Sequence, residues 1–154
     1  MEKYSYLMAS LAIILALGAG GAMAFQPAVN ARLSSQCGHP LQASLISFGT
    51  GFLALACVGL LLRIGVPSPD RLQTLPPWAW TGGLLGTYMV TVSLLVAPGL
   101  GATRWIALVL TGQITLSLIL DHFGLLGYSQ HPLSWQRLLG VLCLVAGVFI
   151  VMRN

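Results

Sequence analysis

The sequence predicts an all-α integral membrane protein with five transmembrane helices. Three observations carry this. Of the 154 residues, 56% are hydrophobic and only 6% charged, against roughly 25% charged in an average soluble domain. Mean hydropathy is +0.87, an apolar surplus larger than one small core can bury. Apolar runs long enough to cross a bilayer, about 20 residues each, recur between charges and Pro/Gly punctuation. A soluble globule of this length is therefore excluded.

The first span runs from about Tyr4 to Phe25. Its start, with Lys3, an apolar stretch from Leu7 to Leu17 and the small-residue triplet Ala22-Met23-Ala24, resembles a cleavable leader. Apolar character continues to Phe25 and further apolar segments follow, so an uncleaved first span is expected. Pro27 then stands beside the amides Gln26 and Asn30, which is the pattern of an interrupted or ending helix. The second span is Leu41 to Leu62, followed by a wet connection from Arg63 to Pro77 that holds Pro67, Pro69, Asp70 and Arg71. The third is Trp78 to Ala97. A turn from Ala97 to Gly101 leads into the fourth, Thr103 to Phe123, and such a short turn predicts antiparallel neighbours. The fifth is Trp135 to Met152. His-Pro-Leu opens a span twice, at His39 and at His131, where proline at a first helical position suffices as explanation. The whole chain, 1–154, reads as a single transmembrane domain.

Five spans put the termini on opposite sides. One side then receives Lys3, Arg63, Arg71 and Arg137, and the other Arg32, Arg104 and Arg153. Four basic residues against three give almost no positive-inside bias, so insertion in both orientations is expected. Two copies in opposite orientations form an antiparallel dimer, which reproduces the inverted repeat on which many transporters are built. The alternative is one orientation set by other factors.

The net charge of +4 is spread too thinly to grip nucleic acid. Cys37, Cys57 and Cys143 show neither CxxC nor Cys/His spacing, so they read as structural, with no metal site and no cofactor expected. No nucleophile set, glycine-rich phosphate loop or paired intramembrane carboxylates are present, so enzymatic activity is not expected and no catalytic residue is assigned.

Polar residues inside spans are costly, and their placement is the most informative feature. Gln113, Ser117 and Asp121 fall at i, i+4 and i+8 on one face of span four. They either line a watery pathway or bond neighbouring helices. Asp121 lies near the C-terminal end of its helix, where the dipole disfavours a negative charge. It needs a cation such as Arg137, Arg32 or His122, interfacial water, or a proton, and its role is either an interfacial salt bridge or coupling and gating. Gln26 and Asn30 share a face if the helix resumes after Pro27. Arg32 is expected at the headgroups. Tyr88 lies deep in span three, where its hydroxyl needs a partner and its ring suits an organic substrate.

Small residues mark packing faces: Ser47 with Gly51, Gly82 with Gly86, and Gly140 with Gly147, the last pair a dimer or bundle contact. Trp78, Trp80, Trp105 and Trp135 near span ends read as an aromatic belt.

The runs Phe25 to Leu33, Pro40 to Phe48, Gly112-Gln113, Leu120 to Gly124 and Gly140 to Val148 resemble the short YdcZ-type family of the drug/metabolite transporter superfamily. The likeness covers nearly the whole chain. It implies a half-size bacterial inner-membrane protein, related to small multidrug resistance exporters and to ten-span transporters with two inverted halves. It also implies a pair of such units, as an antiparallel homodimer, a heterodimer with a related half-size chain, or a fusion. By position, the family's amide motif matches Gln26 and Asn30, and its other elements match Gly112-Gln113 and Asp121 to Gly124, without an established role for any of them. Small multidrug resistance exporters use a glutamate in span one, and span one here has no acid after Glu2.

The function expected is transport of small organic molecules by alternating access between two copies in the lipid bilayer. Gln26, Asn30, Tyr88 and Gln113 are the expected substrate contacts, Asp121 a coupling or gating residue, and Gly82, Gly86, Gly140 and Gly147 packing positions. Proton-coupled efflux of lipophilic cations and a non-transporting membrane subunit are the alternatives.

Overall fold

A computed structural model describes the backbone over residues 2–153 and the side chains over 8–153. Lys3 and Tyr4, at the expected start of span one, have side chains outside the described residues. Among the described residues every regular element is helical: α1 (Glu2–Cys37), α2 (Pro40–Leu61), α3 (Pro69–Gln73), a 3-10 turn (Pro77–Thr81), α4 (Gly82–Leu100), α5 (Ala102–Phe123) and α6 (Trp135–Arg153), with a second 3-10 turn at Leu125–Gly127. Five of these segments are long and apolar enough to cross a membrane: Met8–Cys37, Pro40–Leu61, Pro77–Leu100, Ala102–Phe123 and Trp135–Arg153.

Two boundaries differ from the sequence expectation, for one reason. The first helix does not break or end at Pro27 but continues to Cys37. Proline removes one bond, the one its missing N–H would make to the Met23 carbonyl. In lipid the other backbone groups have no water to turn to, so the helix persists around the gap. It stops at Gly38, whose φ of +85° ends helical geometry. The same happens at Pro98, which was expected in a turn. Helix α4 runs through it to Leu100, and Gly101, with φ +84°, is the sole residue between α4 and α5. The second His-Pro-Leu differs as well: Pro40 begins α2, with Nδ1 of His39 accepting from the Leu41 N–H at 3.2 Å, whereas Pro132 lies in the loop before α6.

At 36 residues, α1 is about 54 Å long at 1.5 Å per residue. The hydrocarbon layer is about 30 Å thick, so α1 must tilt, extend beyond that layer, or both.

Contacts group the chain into two compact units, residues 1–98 and 99–154. In the first, α1 packs along α2. Ala43, Val90 and Leu94 form its buried cluster, with Ala31 and Leu33 against it. Ser44 and Thr91 join α2 to α4 through their hydroxyls at 3.1 Å. Gly86 lets α4 approach Phe48: a Cβ there would lie 3.4 Å from the ring. Gly82, Gly140 and Gly147 have no such neighbour within 4 Å among the described residues.

In the second unit α5 packs along α6. The chain turns at Gly124, whose φ of +61° places it in the left-handed region. The following loop is stitched back to the end of α5. The His131 N–H donates to the Asp121 carbonyl at 2.7 Å, the Gln130 side chain to the His122 carbonyl at 3.1 Å, and the Leu133 N–H to Nδ1 of His122 at 3.1 Å. The first two of these bonds satisfy carbonyls that a helix end leaves open.

Candidate functional site

The first unit contains two adjoining grooves between α1 and α2, with cavity volumes of about 520 Å³ and about 380 Å³. Gln26 and Ser47 border both. The larger groove adds Asn30 and Thr50, and the smaller adds Phe48 and Phe52. The grooves exist because small residues on α2, Ser47 and Gly51, leave space opposite the amide face of α1. Ser47 to Leu55 lie about 10 to 22 Å along an α2 helix roughly 33 Å long. The site is therefore central along α2.

Helix α1 makes the amide pair possible. Because it continues through Pro27, Gln26 and Asn30 remain four residues apart in one helix and share a face. Their environments differ. Gln26 is exposed, whereas Asn30 retains only 3% of its accessible surface. The Nδ2 of Asn30 is fully covered and has no hydrogen-bond partner among the described residues. Such an unmet donor costs about 1–3 kcal/mol. The hydroxyl of Thr50 donates to the Ser47 carbonyl at 2.9 Å, so towards the groove its oxygen serves as an acceptor.

Among the described residues no acidic or basic side chain lines either groove. Two carboxamides, two hydroxyl groups and apolar or aromatic walls make up the site. The chemistry of this surface suits neutral hydrogen-bonding groups, since an ion entering it would lose hydration without a counter-charge.

The other expected contacts lie elsewhere. Tyr88, on α4, is 70% exposed and borders neither groove. Gln113, on α5 in the second unit, is also exposed. Ser117, one turn on, donates to the Ile114 carbonyl at 2.9 Å, within its own helix. Asp121 pairs with Arg137 on α6, Nη1 to Oδ2 at 3.2 Å, and both side chains remain partly exposed. His122 instead faces the Leu133 N–H. Trp105 departs from the expected belt: it is buried, with Nε1 unpartnered among the described residues.

Two polar residues of the site, Ser47 and Thr50, and the aromatic walls Phe48 and Phe52 were missed in the sequence. Ser47 reads there as a packing position beside Gly51, and Thr50 carries no signal of its own. The clue available was that Ser47 and Gly51 share a helical face with Leu55, a stripe whose small members leave a furrow.

Five membrane-length helices and an uncharged amide groove in a charge-poor chain define a multi-pass helical membrane protein. The chain belongs to the YdcZ family: the family's profile matches residues 11–150 and carries the description "Putative inner membrane exporter, YdcZ". The protein is thus a multi-pass protein of the inner membrane, and its family description is that of an exporter rather than an enzyme. Comparison with curated proteins and with solved structures found no match.

Proposed function

We propose that this chain is one half of an exporter of small, neutral organic molecules, which works as an antiparallel pair by alternating access. The observation that carries this is the charge-free groove of α1 and α2, with Gln26 and Asn30 on one face and Asn30 holding an unmet donor. The nearly even division of basic residues supports pairing in opposite orientations, and rocking of two inverted halves is the motion such pairs perform. Tyr88 and Gln113, exposed on the single chain, complete the pocket from the paired assembly. At Gly82, Gly140 and Gly147 an added Cβ would meet nothing within 4 Å among the described residues, which leaves room there for a second copy to approach closely. Asp121, held to Arg137, ties α5 to α6 and acts as a gate when that tie opens.

Proteoliposomes loaded with small solutes of a cell extract test the function. Mass spectrometry is expected to show a subset of neutral solutes leaving faster through the wild type than through a Gln26→Leu/Asn30→Leu variant. Identical efflux of every solute from both proteins refutes the assignment. Orientation is tested at Cys37 with Cys57 and Cys143 replaced by alanine: an impermeant thiol reagent should reach about half of it from each side, as equal dual insertion requires. Labelling from one side alone removes the antiparallel homodimer.

A further inference from the structure

Three properties of the α1–α2 groove together select a ligand chemistry. Its lining among the described residues carries no charge, so a carboxylate or ammonium ion entering it sheds water without meeting a counter-charge. Gln26 and Asn30 present two primary carboxamides one helical turn apart, each with a donor and an acceptor side by side. The Nδ2 of Asn30, on a side chain 3% exposed, lacks an acceptor among the described residues. The terminal torsion of asparagine is broad, so this group turns towards an acceptor placed in the groove at little cost. A hydrocarbon ligand would fill the space and leave that donor unmet.

We propose that the groove recognises neutral, planar amide-type molecules: amides, lactams and ureas carried on an apolar or aromatic body. The carbonyl of the ligand accepts from Nδ2 of Asn30, its N–H donates to the side-chain oxygen of Gln26, and its apolar body lies against Phe48 and Phe52. Each of the two carboxamides thus meets one half of the ligand's donor–acceptor edge. This deepens the exporter function above and rests on it.

Four probes of nearly one shape separate the possibilities: benzamide (neutral, amide), benzoate (anion), benzamidinium (cation) and α-methylstyrene (no polar edge). Ligand-detected NMR competition on the full chain in lipid nanodiscs keeps partition into lipid from counting as binding. Benzamide is expected to bind at least about tenfold more tightly than each of the others, the effect of one or more neutral hydrogen bonds. Asn30→Leu should abolish that preference while leaving the thermal midpoint unchanged or higher, because it removes an unmet donor. A purely structural role for Asn30 predicts the reverse, a lower midpoint with the probe order intact. Gln26→Leu alters an exposed residue, so it should fold normally and reduce the preference about threefold or more. Equal or tighter binding of either ion, or a benzamide preference that survives both substitutions, overturns the proposed class. It leaves the exporter function standing, since that is decided by the solute-efflux comparison, which uses none of these probes.

Discussion

The Asp121–Arg137 pair stands at two helix ends, each charge at the pole that repels it. Asp121 is third from the end of α5 and Arg137 third from the start of α6. A negative charge near a helix C-terminus, or a positive one near an N-terminus, is unfavourable by about 0.5 kcal/mol in an exposed setting. Two unit charges about 4 Å apart attract by roughly 4 kcal/mol at an effective dielectric of 20. This pair makes a 3.2 Å contact, and its side chains are 40% (Arg137) and 31% (Asp121) exposed. Solvent screening and lost side-chain freedom therefore reduce the net attraction to about 1 kcal/mol. Replacing one partner loses that 1 kcal/mol and recovers about 0.5 kcal/mol from its own dipole repulsion. Asp121→Asn and Arg137→Met should each cost about 0.5 kcal/mol, and the double variant should match the wild type, a coupling of about 1 kcal/mol. Thermal unfolding in detergent reads this as a drop of roughly 1–2 °C for each single variant and none for the double. Raising the salt to 0.5 M should shrink the coupling. A double variant destabilised by the sum of the singles refutes the reasoning, as does a coupling above about 2 kcal/mol.

Three further outcomes follow from the same geometry. Gly124→Ala places a Cβ 3.3 Å from that of Gln130 at φ +61°; it should destabilise by about 1–2 kcal/mol, and Gly124→Asn by less, in thermal unfolding. Ser44→Ala and Thr91→Val each remove the hydroxyl contact between α2 and α4 and should cost about 0.6 kcal/mol, the usual worth of an interhelical bond in a membrane; additive effects in the double variant would show that the contact carries no energy. Pro27→Ala restores an N–H able to reach the Met23 carbonyl and should stabilise α1 by about 1 kcal/mol. Hydrogen exchange should find the new amide protected, and rapid exchange there would contradict a helix continuous through position 27.

The five spans were legible because the signal is local: roughly twenty adjacent apolar residues form a helix in lipid whatever surrounds them. The fourfold spacing of Gln26 and Asn30 was equally plain, since four residues of helix set a shared face. Helix ends were less so. Pro27 and Pro98 have the local character of breaks, yet the backbone holds its remaining bonds in lipid and yields only at Gly38 and Gly101. Side-chain partners lay further out of reach. Arg137, Arg32 and His122 were all candidates for Asp121, and only the alignment of α6 along α5 brings Arg137 to it. The opposition of Gly86 to Phe48, the Ser44–Thr91 contact and the place of Thr50 in a groove depend on the register of helices separated by loops. By itself the sequence determined which segments are membrane-length helices and, in the first and fourth, which face is polar, because hydropathy and helical period are properties of neighbours. The tertiary structure decided which faces meet and where an unmet donor is left, because register arises from packing between distant residues.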